Sequence, residues 1–124
     1  MAMLSAHFSE SEFACKHCGT LPAYGISSAL LTGLERLRAR LGRPIYISSG
    51  YRCPVHNANV GGVSNSQHVA GTAADIYVDG VSTRELTRIC KQIFDGVGTY
   101  VADGFVHVDM RAGGSVPGYY LWEG

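Results

Sequence analysis

Two histidines and an aspartate are spaced so that they could hold one metal ion. In Ser66-Gln67-His68-Val69-Ala70-Gly71-Thr72-Ala73-Ala74-Asp75, a loop histidine precedes a glycine turn, and an aspartate lies in an otherwise small and apolar strand. A carboxylate beside Ala73, Ala74 and Ile76 is costly to bury unless a cation or several donors meet it. Downstream, Phe105-Val106-His107-Val108-Asp109-Met110 alternates, so His107 and Asp109 share one face and Val106, Val108 and Met110 the other. His68, Asp75 and His107 would give a metal three protein ligands and leave the fourth tetrahedral position for water, the catalytic rather than the structural zinc arrangement. The same spacing lets His68 and Asp75 hydrogen-bond each other across the turn, and the residues alone leave both readings open. Cys15-Lys-His-Cys18 has the spacing that can hold half of a structural zinc site, but no second Cys-x-x-Cys or His-x-x-x-His follows it, so the other two ligands would have to come from isolated residues. A redox role fits less well, since no strand precedes Cys15. The plain alternative is two small, half-buried side chains.

The elements that must position these groups can be read from periodicity. Ser9 and Glu12 stand in capping-box spacing before Phe13 and predict a short helical turn. Leu30, Leu31, Leu34, Leu37 and Leu41 recur at helical spacing up to Gly42 and Pro44, the pattern of an amphipathic helix packed on a core. Ile45 to Ser48 reads as a strand, and Pro54 opens a short helix closed by Gly61 and Gly62. Thr72 to Val78 reads as a second strand. Ser82 and Glu85 form another capping box before a helix carrying Leu86, Ile89, Cys90, Ile93 and Phe94. Strands over Val97 to Val101 and Phe105 to Met110 flank Asp103-Gly104, a strong hairpin signal. The last ten residues, with Tyr119, Tyr120 and Trp122, are expected to cover an edge or line a groove.

Composition bounds the function classes. The chain has 124 residues with ten basic and ten acidic side chains, enough for one domain over 1–124 and no basic excess for phosphates. Nucleic-acid binding is a poor reading. No apolar run approaches the ~20 residues of a membrane span, and Met1 to Phe13 lacks the layout of a secretory signal. The expectation is synthesis in the cytoplasm, with reduced thiols at Cys15, Cys18, Cys53 and Cys90.

Three stretches carry a family resemblance: Ser-x-His-x-x-Gly-x-Ala-x-Asp from Ser66 to Asp75, Ser-Gly-Tyr-Arg-Cys-Pro from Ser49 to Pro54, and Gly-Phe-Val-His-Val-Asp from Gly104 to Asp109. In this order and separation they resemble the zinc D-Ala-D-Ala carboxypeptidase family, whose fold is shared with hedgehog signalling domains, and in particular its small single-domain bacterial and phage branch. The resemblance runs from about His7 to Arg111. It implies an α+β fold with a central antiparallel sheet flanked by helices, and one catalytic Zn2+ on His68, Asp75 and His107. The implied activity is hydrolysis of peptidoglycan stem or cross-link peptides, by carboxypeptidase or endolysin-like endopeptidase action at the cell wall, the chain working as a monomer released by phage or host. Arg52 matches the arginine that faces the substrate carboxylate or developing oxyanion, tasks that suit a permanently charged group with paired donors. Better-known members carry an acidic residue three positions before the last histidine ligand, where this chain has Gly104. That leaves Asp109, on the face of His107, as the expected general base, and Asp103 in the turn as its alternative. Tyr51 and Ser66 are expected to border the substrate, Ser66 either supporting the site or capping its loop. His56 and Asn57 either line the cleft or lie on a helix surface. A different class of reading is a zinc-containing module that grips wall peptide, for instance in a phage particle, without cutting it.

Overall fold

A computed structural model describes residues 2–62 and 66–124 of the chain. Its elements are α1 (Glu10–Phe13), α2 (Ser28–Leu41), β1 (Tyr46–Ser49), α3 (Pro54–Asn59), β2 (Ala73–Tyr77), α4 (Thr83–Cys90), β3 (Gly96–Tyr100), β4 (Phe105–Asp109) and β5 (Tyr120–Glu123). The strands form one sheet in the order β1-β2-β4-β3-β5. The first four pair antiparallel, as expected, but β5 runs parallel to β3, so the sheet is mixed. The chain end therefore covers the β3 edge as a strand.

One face of the sheet and two helices make the core. Leu30, Leu34 and Leu37 of α2 and Leu86, Ile89 and Cys90 of α4 pack with Ile76, Val97, Val106, Val108 and Met110. This is the burial that the leucine spacing of α2 and the alternation of β4 demand. Local capping agrees in part with the sequence. At α1 the Glu12 carboxylate accepts from the Ser9 amide at 2.7 Å. At α4 only half of the expected box forms: Ser82 Oγ accepts from the Glu85 amide, while the Glu85 carboxylate turns outward to Arg88. Helix α4 also stops at Cys90 rather than reaching Phe94, because the amides of Gln92 and Ile93 bond back three residues and tighten the chain into turns. Those turns deliver Asp95 to the interior.

Asp95 is fully buried, and its carboxylate accepts from the amides of Ala112, Gly114 and Val116 at 2.9, 2.8 and 2.9 Å. It thereby folds the segment after β4 back across the sheet end and sets the start of β5. The β3–β4 hairpin closes where Asp103-Gly104 predicts it, with Gly104 at φ 76°, a backbone region that side chains disfavour.

Candidate metal centre and cleft

Sheet register builds the site. Asp75 on β2 lies directly opposite His107 on β4, His107 opposite Gly98 on β3, and Gly98 opposite Trp122 on β5. The next row is Ala73, Asp109, Gly96 and Tyr120. Both glycines are spacers on the site face. A Cβ on Gly96 would fall 2.6 Å from Cγ of Asp109, and one on Gly98 would fall 2.5 Å from the Trp122 indole. The space left at Gly98 lets the Trp122 ring lie 4.9 Å from the His107 ring, centroid to centroid.

His68 enters from the loop before β2 and is 2% exposed. Its backbone is fixed on both sides: its amide donates to Ser66 Oγ at 3.2 Å, and its carbonyl accepts from the Arg52 amide at 3.2 Å. The ring Nδ1 donates to the Gly50 carbonyl at 2.8 Å, which leaves the lone pair on Nε2, 3.2 Å from Asp75 Oδ1. His107 is set the opposite way round. Its Nε2 donates to Asp109 Oδ2 at 2.7 Å, so its lone pair is on Nδ1, 3.3 Å from the same Asp75 oxygen. Two imidazole lone pairs and a carboxylate oxygen thus converge, and three acceptors so placed repel one another unless a cation or a proton sits among them. The donor set, two imidazole nitrogens and one carboxylate oxygen with a fourth side open to the cleft, is that of a catalytic zinc site.

The electrostatics follow from these contacts. Burial alone would raise the Asp75 pKa, but His107 and His68, once a proton sits on the ring nitrogens that face its carboxylate, outweigh burial and bring the carboxyl down to about 2. For His107, burial opposes the charged ring, yet the carboxylates of Asp109 and Asp75 prevail and raise its pKa. Asp109 is 0% exposed, and burial again works against its charge. His107 and Arg111 win, holding the carboxyl far below the usual carboxylate range. Arg111 donates to it through Nε at 2.9 Å, Nη2 at 2.7 Å and the backbone amide at 3.1 Å, and lies over the Tyr120 and Trp122 rings.

A cleft of about 400 Å³ opens beside this cluster, lined by Arg52, Ser66, His68, Tyr100, His107, Arg111 and Trp122. A larger groove of about 570 Å³ between α4 and β5 is lined by Arg84, Arg88 and Lys91 and holds no ligating cluster among the described residues. Arg52 donates from Nη2 to Ser66 Oγ at 3.3 Å, while its buried Nε has no hydrogen-bond partner among the described residues. Burial lowers the Arg52 pKa, and the Asp75 carboxylate works against that loss.

The residues singled out from sequence divide accordingly. His68, Asp75, His107, Asp109, Arg52 and Ser66 come together; Ser66 both caps its loop and holds Arg52. Tyr51 does not line the cleft; the groups that bear on its hydroxyl are Tyr24 and the cysteines Cys53, Cys18 and Cys15. Asp103 is exposed at the hairpin tip and also lies off the cleft lining. Asp109 reaches the cluster only through the His107 ring, with both carboxylate oxygens already engaged. Sequence reasoning passed over Arg111 and Asp95; the only signals were a basic residue two positions after Asp109 and an acidic one inside an apolar run.

Comparison with known proteins adds two findings. A family model described as peptidase M15 matches residues 6–109. A stretch of 53 residues is 43% identical to the zinc D-Ala-D-Ala carboxypeptidase of Streptomyces albus G, and the match takes in 40% of this chain and 21% of that longer protein.

Proposed function

The chain belongs to the peptidase M15 family, and from that premise we propose that it is a zinc-dependent peptidase that cuts peptidoglycan stem or cross-link peptides at the cell wall. The observation that carries this reading is the convergence of His68 Nε2, Asp75 Oδ1 and His107 Nδ1 beside an arginine-lined cleft. Zinc bound there would polarise the scissile carbonyl and bring the pKa of its bound water towards about 7. The protein's own residues do the rest. The Gly50 carbonyl and the Asp109 carboxylate fix the two imidazole tautomers, so that both lone pairs face inward.

Asp109, the base expected from sequence, fits this orienting task better than proton transfer, because it is fully buried behind the ring and saturated by Arg111. Arg52 lines the cleft with a permanently charged guanidinium and is the group to hold a substrate carboxylate or developing oxyanion. Holding a free carboxylate favours a cut next to a peptide's C-terminus, that is, carboxypeptidase action. Tyr100 and Trp122, joined by an indole N–H donated to the phenol oxygen at 2.8 Å, wall the cleft and exclude water from one side.

The test is digestion of purified peptidoglycan with wild type and His68→Ala, followed by mass spectrometry of the products. Loss of a terminal D-alanine, absent with the variant, is the expected result; new amines without D-alanine release would make it an endopeptidase. A second reading has its own observation: Gly104 replaces the acidic residue seen in similar proteins, and no unengaged carboxylate lines the cleft among the described residues. On that reading the protein holds zinc and wall peptide without cutting, and the same digestion would leave the peptides intact.

A further inference from the structure

Away from the cleft, Cys15, Cys18 and Cys53 bring their sulfurs together, with all three Sγ atoms within 4.8 Å of one another. The local backbone is arranged around them. Cys15-Lys-His-Cys18-Gly19 closes a tight knuckle in which Gly19 takes φ 71° and its amide donates to the Cys15 carbonyl at 2.7 Å. The Cys53 amide points at Cys15 Sγ at 3.4 Å, and the His56 amide at Cys53 Sγ at 3.4 Å. Amides aimed at sulfur stabilise thiolate over thiol.

The spacing is then Cys-x-x-Cys followed by Cys-x-x-His, since His56 stands three residues after Cys53 on α3, its ring stacked on His17 at 6.0 Å. Tetrahedral zinc with Zn–S near 2.3 Å places its sulfurs about 3.8 Å apart, so a contraction of at most about 1 Å brings these three to ligating distance. A disulfide would use two of these sulfurs and strand the third, whereas a metal engages all three.

The geometry points to a second, structural zinc site formed by Cys15, Cys18 and Cys53, with His56, three residues after Cys53, the side chain that would turn in as the fourth ligand. On binding, each thiol still protonated gives up its proton to solvent, and no redox step is involved. The site ties the segment after α1 to the turn that carries Arg52, the residue immediately before Cys53. It therefore acts as a clamp that holds Arg52 at the cleft, in addition to the bond from the Tyr51 amide to the Phe13 carbonyl at 2.8 Å.

The experiment is zinc content and thiol accessibility of the reduced full chain, wild type beside Cys18→Ser and His68→Ala, with cobalt substitution of the wild type as a measurement that needs no variant. The expected results are two zinc ions in wild type and one in each variant. His68→Ala should keep its thiols protected from a thiol reagent until a chelator is added, and cobalt loading should give a sulfur-to-metal charge-transfer band. One zinc in wild type with three freely reactive thiols, or a disulfide among these cysteines in the freshly purified protein, would overturn the proposal. So would cobalt spectra free of any sulfur band, even if Cys18→Ser fails to fold. Because His68→Ala removes the cleft site alone, failure of the thiolate site and failure of the peptidase reading give different patterns.

Discussion

Replacing Asp109 by asparagine separates an orienting carboxylate from a general base. In the native protein Asp109 accepts from His107 Nε2 at 2.7 Å and from Arg111 Nε and Nη2 at 2.9 and 2.7 Å. Asparagine keeps the shape but turns one acceptor oxygen into a donor. Wherever the amide group points, it meets either the Arg111 guanidinium or the His107 N–H, donor against donor. The way out for His107 is to move its proton to Nδ1, the atom that faces Asp75, which removes a lone pair from the metal centre.

Two charge-assisted hydrogen bonds weaken, each worth about 1.5–3 kcal/mol when buried. Arg111 is 28% exposed, so solvent screens part of this and the net loss of stability is about 3 kcal/mol. Losing the partner that orients a ligating histidine weakens metal binding by about 10–100-fold. Zinc affinity of Asp109→Asn, measured against a chromophoric chelator beside thermal melting of the metal-free protein, should show both losses. Unchanged affinity and melting with hydrolysis abolished would refute the orienting role and make Asp109 the base.

The other expectations are more local. Arg52→Ala should leave zinc content and melting nearly unchanged while kcat/KM for wall peptides falls about 100-fold, the cost of leaving a substrate charge unpaired; equal activity would remove Arg52 from the site. Asp95→Ala strands three amides and should cost at least about 3 kcal/mol, detected as a lower melting temperature with Trp122 fluorescence shifting towards that of exposed indole. The pH dependence follows from Asp109, whose carboxyl lies below its unfolded value. Its contribution is complete above about pH 4 and is lost as pH falls through the folded pKa, so acid should destabilise wild type more than Asp109→Asn. Parallel acid unfolding curves would contradict that.

Much of the site could be read before the structure, for identifiable reasons. His107 and Asp109 were placed together by strand alternation, and Asp75 stood out because a carboxylate among alanines needs a partner. Helix α2 and the Asp103-Gly104 hairpin are encoded by local signals of helical period and turn chemistry. What stayed hidden depends on contacts distant in sequence. The parallel pairing of β5 with β3 has no local signature, because Tyr120 to Glu123 meets Gly96 to Thr99 only after the loop that Asp95 organises. Gly96 and Gly98 take their role from register, which sets one facing Asp109 and the other facing Trp122. Arg111 likewise gains its meaning from Asp109, since the pair removes the carboxylate that sequence alone offered as a base. Cys53 and His56 lie far along the chain from Cys15 and Cys18, so the grouping of the three sulfurs appears only once α1 packs on β1.

The most direct test of the central claim is zinc content and amine release from peptidoglycan measured on the same samples of wild type and Asp75→Ala. The account predicts that the variant loses one zinc ion and all cleavage together while its thiolate-bound zinc stays. A variant that keeps wild-type zinc content, or loses the ion and still cuts, would contradict it.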